Sequence, residues 1–324
     1  MGSIPIARST FRCLACPCVV LGRYLPYRAV PTVSTRLQFI WSNASIGLLV
    51  EFVLDGLIGP SSGRLRKFEM APAAVGQEGT GRDTKDPTSL PEPEQGTFQQ
   101  LQGSVRDMRI GIDRDYALKG IDPRQAAAIE LALRVLRDRG AQIVPVKMPD
   151  VSHVVDIWSP ICAHEMSKAH AATFRARSGE YGPYLREFLV NGRQVTADQL
   201  ETAHWARKAL TKDLDALLDS VDAMAGPAGG DPAWPITHAI QVGPLPAYHA
   251  AWSAAAPRSS EFTMPMDLAG IPAICLPCGF SPDGLPYSIQ FTGRRLGEGA
   301  LFRIAYAYET ATEWHIRHPI VHPT

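Results

Sequence analysis

The stretch from residue 108 to residue 146 constrains the fold more than any other part of this sequence. It begins with MRIGID and ends with QIVPV, two short apolar runs that are typical of buried β-strands. Between them, Asp122 followed by Pro123 predicts a helix start, because aspartate caps free amides and proline fits the first turn. Gly140 predicts the helix end in a left-handed conformation. This strand–helix–strand unit predicts two parallel strands joined by a right-handed crossover.

An apolar stripe predicts which face of this helix packs on the sheet. The stripe consists of residues at helical spacing, namely Ala128, Leu131, Ala132, Val135 and Leu136. We therefore expect these five side chains to be buried together.

A second helix and a hairpin extend the same pattern. The helix is predicted to begin at Thr196, where Gln199 completes a capping box. Its apolar face consists of Leu200, Ala203, Leu210, Leu214, Leu217 and Val221. Residues 270–295 hold two apolar runs around a Pro-Asp-Gly turn, which predicts a hairpin over 273–291, and a helix is expected from about Glu298 to Trp314. Alternating strands and helices predict an α/β fold with helices on both faces of the sheet.

The N-terminal part has a different composition. No acidic residue precedes Glu51, whereas arginines are frequent there, and residues 61–100 are rich in glycine, proline, serine and charge. An arginine-rich, acid-free N-terminus is typical of an organelle transit peptide, and it also arises when DNA is translated out of frame. Both interpretations stay open. We predict residues 1–85 to be an atypical N-terminal region, poorly ordered or mistranslated, and residues 86–324 to belong to one domain.

Charge and hydropathy exclude several classes of partner. The 32 lysines and arginines balance the 32 aspartates and glutamates, which argues against nucleic acid or an anionic membrane as the main partner. The apolar stretch 37–57 contains Glu51 and Asp55, and acids are costly in a membrane span. We predict a cytoplasmic protein without a membrane segment, with an organelle as the alternative. The oligomeric state stays open.

Two Cys-x-x-Cys pairs raise the alternative of a four-thiolate zinc site. They are Cys13 with Cys16 and Cys275 with Cys278. No histidine lies near either pair, and the second pair falls in an apolar strand, where alternate side chains point to opposite faces. We predict buried free thiols, and neither a metal nor a cofactor.

Residues 262–309, FTMPMDLAGIPAICLPCGFSPDGLPYSIQFTGRRLGEGALFRIAYAYE, resemble the C-terminal signature of the amidase signature family. In that family a loop reading F-T-x-P-x-N-L-A-G-x-P-A precedes a buried strand, a turn with G-L-P and a strand ending in Q-x-x-G. DPTSLPEP, RIGIDRDYALKGIDP, EYGPYLREFL and DAMAGPAGGDPAWPI resemble further family segments in family order. The resemblance covers about residues 86–319. It implies a mixed sheet layered between helices, incomplete here, and hydrolysis of a small-molecule amide.

The resemblance also implies a Ser–Ser–Lys triad, in which a buried lysine takes the proton of the nucleophilic serine. In the family these residues precede the matched region. MGSIPIARS resembles the family stretch G-G-S-I-R-x-P-A, so Ser3 is the candidate nucleophile. Lys67, in GRLRKFEM, fits a surface turn better than a buried base. We therefore predict a truncated, inactive amidase; the alternative is a non-catalytic remnant that acts through protein contacts, with a helix such as 198–221 offering its apolar face.

Two acids are the candidate substrate-binding residues. The family resemblance implies that a loop over residues 261–270 walls part of the substrate pocket. Glu261 and Asp267 would contact a polar group of the substrate there, or else be solvated loop carboxylates. The family usually has asparagine where this chain has Asp267. The hairpin itself is predicted to be scaffold, with Leu276, Ile289 and Phe291 in the core.

Overall fold

A computed structural model describes residues 38–43, 46–51, 100–235, 243–255 and 258–317, with the backbone alone for the first two ranges. The strands are β1 (Gln38–Asn43), β2 (Ile46–Glu51), β3 (Arg109–Ile112), β4 (Gln142–Pro145), β5 (Ala223–Gly226), β6 (Ala273–Phe280) and β7 (Pro286–Thr292). The α-helices are α1 (Arg114–Leu118), α2 (Pro123–Asp138), α3 (Val154–Ala169), α4 (Ala171–Arg177), α5 (Pro183–Gly192), α6 (Ala197–Leu218), α7 (Leu245–Ala255), α8 (Ser259–Ala269) and α9 (Glu298–Glu309).

The strands form one mixed sheet in the order β2-β1-β6-β7-β5-β3-β4. β3 is parallel to both β4 and β5, whereas β5–β7, β7–β6, β6–β1 and β1–β2 are antiparallel pairs. The predicted α/β fold with a mixed sheet between helices is therefore confirmed.

The predicted strand–helix–strand unit is present as β3, α2 and β4, with the short helix α1 added between β3 and α2. The Asp122 carboxylate accepts a hydrogen bond from the Arg124 amide at 2.7 Å, and Gly140 follows α2 with φ of +100°. The predicted buried face is partly wrong. Leu131 is 43% exposed, while Ile129 and Leu133 are buried. The reason is that the neighbouring stripe of α2 packs against the sheet.

Two apolar layers lie on opposite faces of the sheet, as the alternation along β5 shows. Ala223 and Ala225 face the layer that contains α2 and α9, and Met224 faces the layer that contains α3, α6 and α8. The predicted core residues of the hairpin, Leu276, Ile289 and Phe291, are fully buried in the first layer. The last helix ends at Glu309, five residues earlier than predicted.

Helix α6 begins with the predicted capping box. The Thr196 hydroxyl accepts from the Gln199 amide at 3.2 Å, and the Gln199 side chain accepts from the Thr196 amide at 2.9 Å. The apolar face of α6 packs inside the second layer, where Leu210 and Leu214 are buried. This face is therefore not available to a partner, whereas the wider alternative of a non-catalytic remnant stays a prediction.

The strands β1 and β2 come from the region that we predicted to be atypical. They form an antiparallel hairpin, and Gln38 of β1 pairs with Cys275 of β6. The remaining residues up to 85 lie outside the described part of the chain, so the boundary at residue 85 stays a prediction. Within the ranges that the structure describes, no helix is both long and apolar enough to cross a membrane.

The described cysteines, Cys162, Cys275 and Cys278, are buried and form no disulfide bond. Burial raises the pKa of both the Cys275 and the Cys278 thiol to about 12, so neither readily forms the thiolate that zinc requires. In residues 100–235, 243–255 and 258–317, no group of three or more histidine, cysteine or acidic side chains can hold a metal ion. Cys13 and Cys16 lie outside these residues.

Candidate active-site wall

The candidate site lies at the carboxyl end of β5, where the chain enters residues 227–235, which we name the β5 loop. Ligands of α/β proteins commonly bind where parallel strands end. The β5 loop lies against the first turn of α8. A methyl group added to Gly230 would be 3.6 Å from the Phe262 ring, which is ordinary contact, and 3.2 Å from the Ile121 side chain, which is tight.

Hydrogen bonds from α2 hold the β5 loop in place. The buried Gln125 amide donates to the Gly229 carbonyl, and the Asp122 amide donates to the Gly230 carbonyl at 2.9 Å. The Tyr287 hydroxyl of β7 donates to the Asp122 carboxylate at 3.3 Å. Burial, together with the charge of Asp122, raises the pKa of Asp231 in the loop. The loop therefore presents an acid that is harder to ionise than a free aspartate.

Arg258 organises the start of α8. Its guanidinium bonds the Glu261 carboxylate at 2.7 and 2.9 Å and lies 4.8 Å from the centre of the Phe262 ring. The Tyr116 hydroxyl donates to the Glu261 carbonyl at 2.6 Å, and burial raises the pKa of Tyr116. Sequence reasoning missed Tyr116, because its contact joins residues 145 positions apart. It also missed Arg258, although a spacing of three residues from Glu261 is a local signal for an ion pair.

The prediction that residues 261–270 form a loop is wrong, because residues 259–269 form the helix α8 with Pro265 inside it. Glu261 lies in the first turn and is paired with Arg258, so it is not a solvated loop carboxylate. Asp267 lies in the last turn. Six residues turn an α-helix through about 600°, so the two acids point about 120° apart and do not share one direction.

Asp267 is half-buried in the last turn of α8, between residues that belong to the core. Among the described residues, none forms a hydrogen bond or ion pair with its carboxylate. Burial raises the pKa of Asp267 to about 7. Near neutral pH this carboxyl group is therefore present in both forms, and it can either accept or donate a hydrogen bond.

Two arginines fix the end of α8. Arg207 donates to the Leu268 carbonyl at 2.7 Å, and Arg295 donates to the carbonyls of Ala269 and Gly270. Gly270 ends the helix with φ of +67°. Both guanidinium groups are engaged with backbone carbonyls, so the position of Asp267 is set without an ion pair.

Gln290 connects the hairpin to the same helix. Its buried side chain donates to the Phe262 carbonyl at 3.0 Å and accepts from the Cys275 thiol at 3.6 Å. These contacts agree with the predicted scaffold role of the hairpin.

No described lysine has the burial that a lysine base requires. Every lysine of the described residues is exposed, namely Lys119, Lys147, Lys168, Lys208 and Lys212. Ser3 and Lys67 lie outside the described residues, and Ser3 as nucleophile stays a prediction.

Comparison with known proteins identifies relatives of this chain. The family model described as Amidase matches residues 71–302. A glutamyl-tRNA(Gln) amidotransferase subunit of Chloroflexus aggregans is 32% identical over 263 residues, which cover 74% of this chain and 51% of that protein. An amidase of Pseudomonas putida is 30% identical over 239 residues, covering 74% of this chain and 50% of the relative. The chain thus spans about half the length of these curated relatives.

Solved structures share the fold. The corresponding amidotransferase subunit of Thermotoga maritima matches with a TM-score of 0.54 and 26% identity, over 71% of this chain and 48% of that one. A 6-aminohexanoate cyclic dimer hydrolase matches with a TM-score of 0.70 over 88% of this chain and 62% of its own, at 18% identity, which supports the fold alone. The matched family region contains β3 to β7 and the whole candidate wall, and we conclude that this chain belongs to the amidase signature family.

Proposed function

We propose that this chain carries the C-terminal part of an amide-hydrolase domain and that, as written, it hydrolyses amides negligibly. The observation that supports this proposal is the exposure of all the lysines in the described residues. Only Lys67 and Lys85, which lie outside those residues, are left as candidates for the base. A serine hydroxyl attacks an amide only when a base takes its proton, and lysine acts as that base only when burial lowers its pKa. An exposed lysine is protonated at neutral pH and cannot perform this step.

The proposed substrate class is a small-molecule carboxamide, in keeping with the family. A complete site would add water to the amide and release a carboxylate and ammonia or an amine. Asp267 is the acid that has no described partner, and it is proposed to contact a polar group of the substrate. Glu261 points about 120° away from Asp267 around α8, so it would meet a different part of the substrate, as part of its pair with Arg258. The β5 loop would complete this side of the pocket.

The test of this proposal is an activity assay on the full chain. We expect no detectable turnover of a panel of simple aryl amides and no labelling by a serine-reactive fluorophosphonate. The triad acts as a unit, so the loss of its base alone lowers the rate by a factor on the order of 10⁶. Circular dichroism and a cooperative thermal transition would establish that the assayed chain is folded.

Two serine variants make this assay decisive. If Ser3→Ala abolished turnover and the control Ser9→Ala preserved it, the proposal would be overturned and Ser3 would be established as a nucleophile. Turnover that survives Ser3→Ala but is lost with another serine would place the site elsewhere and equally contradict the proposal.

A further inference from the structure

A cavity of about 810 Å³ lies where α3, α4 and α5 meet, and we name it the α3–α5 pocket. Its volume is in the range of about 300 to 1,000 Å³ that is usual for small-molecule sites. Its lining residues come from the end of α3, from α4 and the residue after it, and from the end of α5. None of them belongs to the candidate active-site wall.

The lining of the pocket is cationic. Lys168, Arg175 and Arg193 contribute permanent positive charges, His164 adds an imidazole, and no lining residue is acidic. The whole chain has a formal net charge of zero, so this concentration of one sign is local. Clefts that are lined by one sign of charge attract ligands of the opposite sign.

Helix dipoles account for only part of this charge. Lys168 and Arg175 lie in the last turns of α3 and α4, and Arg193 follows α5, where the helix dipole favours cations. Each helix end carries about half a negative charge, whereas each side chain carries a full positive charge. The helix ends therefore offset only part of the positive charge of these side chains.

Among the described residues, no carboxylate forms an ion pair with Lys168, Arg175 or Arg193. Arg177 shows the contrast, since it is paired with Glu180 at 2.7 Å. The guanidinium of Arg193 lies 5.1 Å from the centre of the Phe174 ring, which supports it without neutralising its charge. Arg193 is thus positioned but not neutralised, and Lys168 and Arg175 carry charges that no described ion pair neutralises.

The helix packing behind the pocket is close. Gly192 of α5 approaches α3 so closely that an added Cβ would lie 1.9 Å from the Ala163 carbonyl oxygen. On α3, the Ser167 hydroxyl is buried and donates to the His164 carbonyl at 2.7 Å. Phe174 packs on Tyr181 at 5.2 Å between ring centres. These contacts form a closely packed base beneath the cations of the pocket lining.

We propose that the α3–α5 pocket binds the phosphate group of a small molecule. Guanidinium groups bind phosphate oxygens through paired hydrogen bonds, and an ammonium adds a point charge. Three cations that line one pocket suit a ligand with more than one negative charge, such as a pyrophosphate.

The experiment is a titration of the purified full chain with inorganic pyrophosphate at low ionic strength, followed by calorimetry. We expect saturable binding at one site that weakens as salt is added. Arg175→Ala and Arg193→Ala should each weaken binding about tenfold, because each removes a charge-assisted contact. Arg177→Ala is the matched control: it removes the same charge from the same helix, but outside the pocket, and it should leave the affinity unchanged.

Each other outcome bears on the proposal directly. The absence of saturable binding would overturn the proposal. Equal weakening of pyrophosphate binding by Arg177→Ala and by Arg175→Ala would also overturn it, because that result would show general attraction to the protein surface. Tighter binding of citrate than of pyrophosphate would overturn the assignment to phosphate. Lys168→Ala provides a further test if an arginine variant fails to fold, since Lys168 is exposed and makes no described ion pair.

Discussion

Asp267→Asn is expected to stabilise the protein above about pH 7 and to leave its stability unchanged below pH 3.8. Burial raises the pKa of Asp267 from 3.8 to about 7, so the folded protein disfavours the ionised form. A pKa difference of one corresponds to about 1.4 kcal/mol, and solvent reaches part of this side chain. We therefore expect the variant to gain about 2 to 4 kcal/mol in free energy of unfolding at high pH.

The pH dependence has a defined sign. Between pH 3.8 and about 7 the folded state holds the Asp267 proton more tightly than the unfolded state. The free energy of unfolding of the original chain therefore falls across this window relative to that of the asparagine variant. Urea unfolding of both proteins over a series of pH values measures the difference.

Glu261→Gln is the matched control, because it also replaces an acid of α8 by its amide. Glu261 is paired with Arg258, so this change is expected to destabilise the protein at neutral pH. The buried, unpaired state of Asp267 would be contradicted if the difference in free energy of unfolding between Asp267→Asn and the original chain were constant with pH. It would also be contradicted if the original chain were the more stable of the two at high pH.

Gly192→Ala is expected to lower the free energy of unfolding by about 2 to 3 kcal/mol, because overpacking a tight contact costs that much. The added Cβ would lie 1.9 Å from the Ala163 carbonyl oxygen and 2.5 Å from its carbon. These atoms are backbone, so α3 and α5 must move apart. Alanine has a better helix propensity than glycine by about 1 kcal/mol, but the steric conflict exceeds this gain.

Denaturant unfolding would measure the loss of stability of Gly192→Ala, provided that the m-value is unchanged. Gly182→Ala is the control, because Gly182 precedes the same helix and has no atom within 4 Å of its added Cβ. We expect Gly182→Ala, which places alanine at the N-cap of α5, to lower stability by no more than about 1 kcal/mol. If Gly192→Ala were as stable as the Gly182 variant, the close packing of α3 on α5 would be wrong.

Local sequence patterns determined the elements whose signals lie within a few residues. The cap at Asp122, the left-handed Gly140 and the capping box of Thr196 and Gln199 depend on hydrogen bonds or dihedral angles inside one turn. The hairpin of β6 and β7 follows from two apolar runs around a short turn. The family was also recognisable, because its signature is a continuous stretch of sequence.

Tertiary structure decided which faces are buried and what environment each acid has. Leu131 and Ile129 both fit an apolar stripe on α2, and only the position of the sheet selects Ile129. Residues 261–270 have the sequence of a family loop, yet packing between the sheet and neighbouring helices holds most of them in α8.

The charges of the candidate site and of the α3–α5 pocket likewise depend on contacts that are distant in sequence. The raised pKa of Asp267 and the bond from Tyr116 to the Glu261 carbonyl require separate segments to meet. The presence of Arg175 and Arg193 in the lining of one pocket depends on how α4 and α5 pack beside α3, where Gly192 approaches Ala163 closely. A sequence states which groups are present, but burial and long-range contact set their protonation, pairing and position, and these arise only when the chain folds.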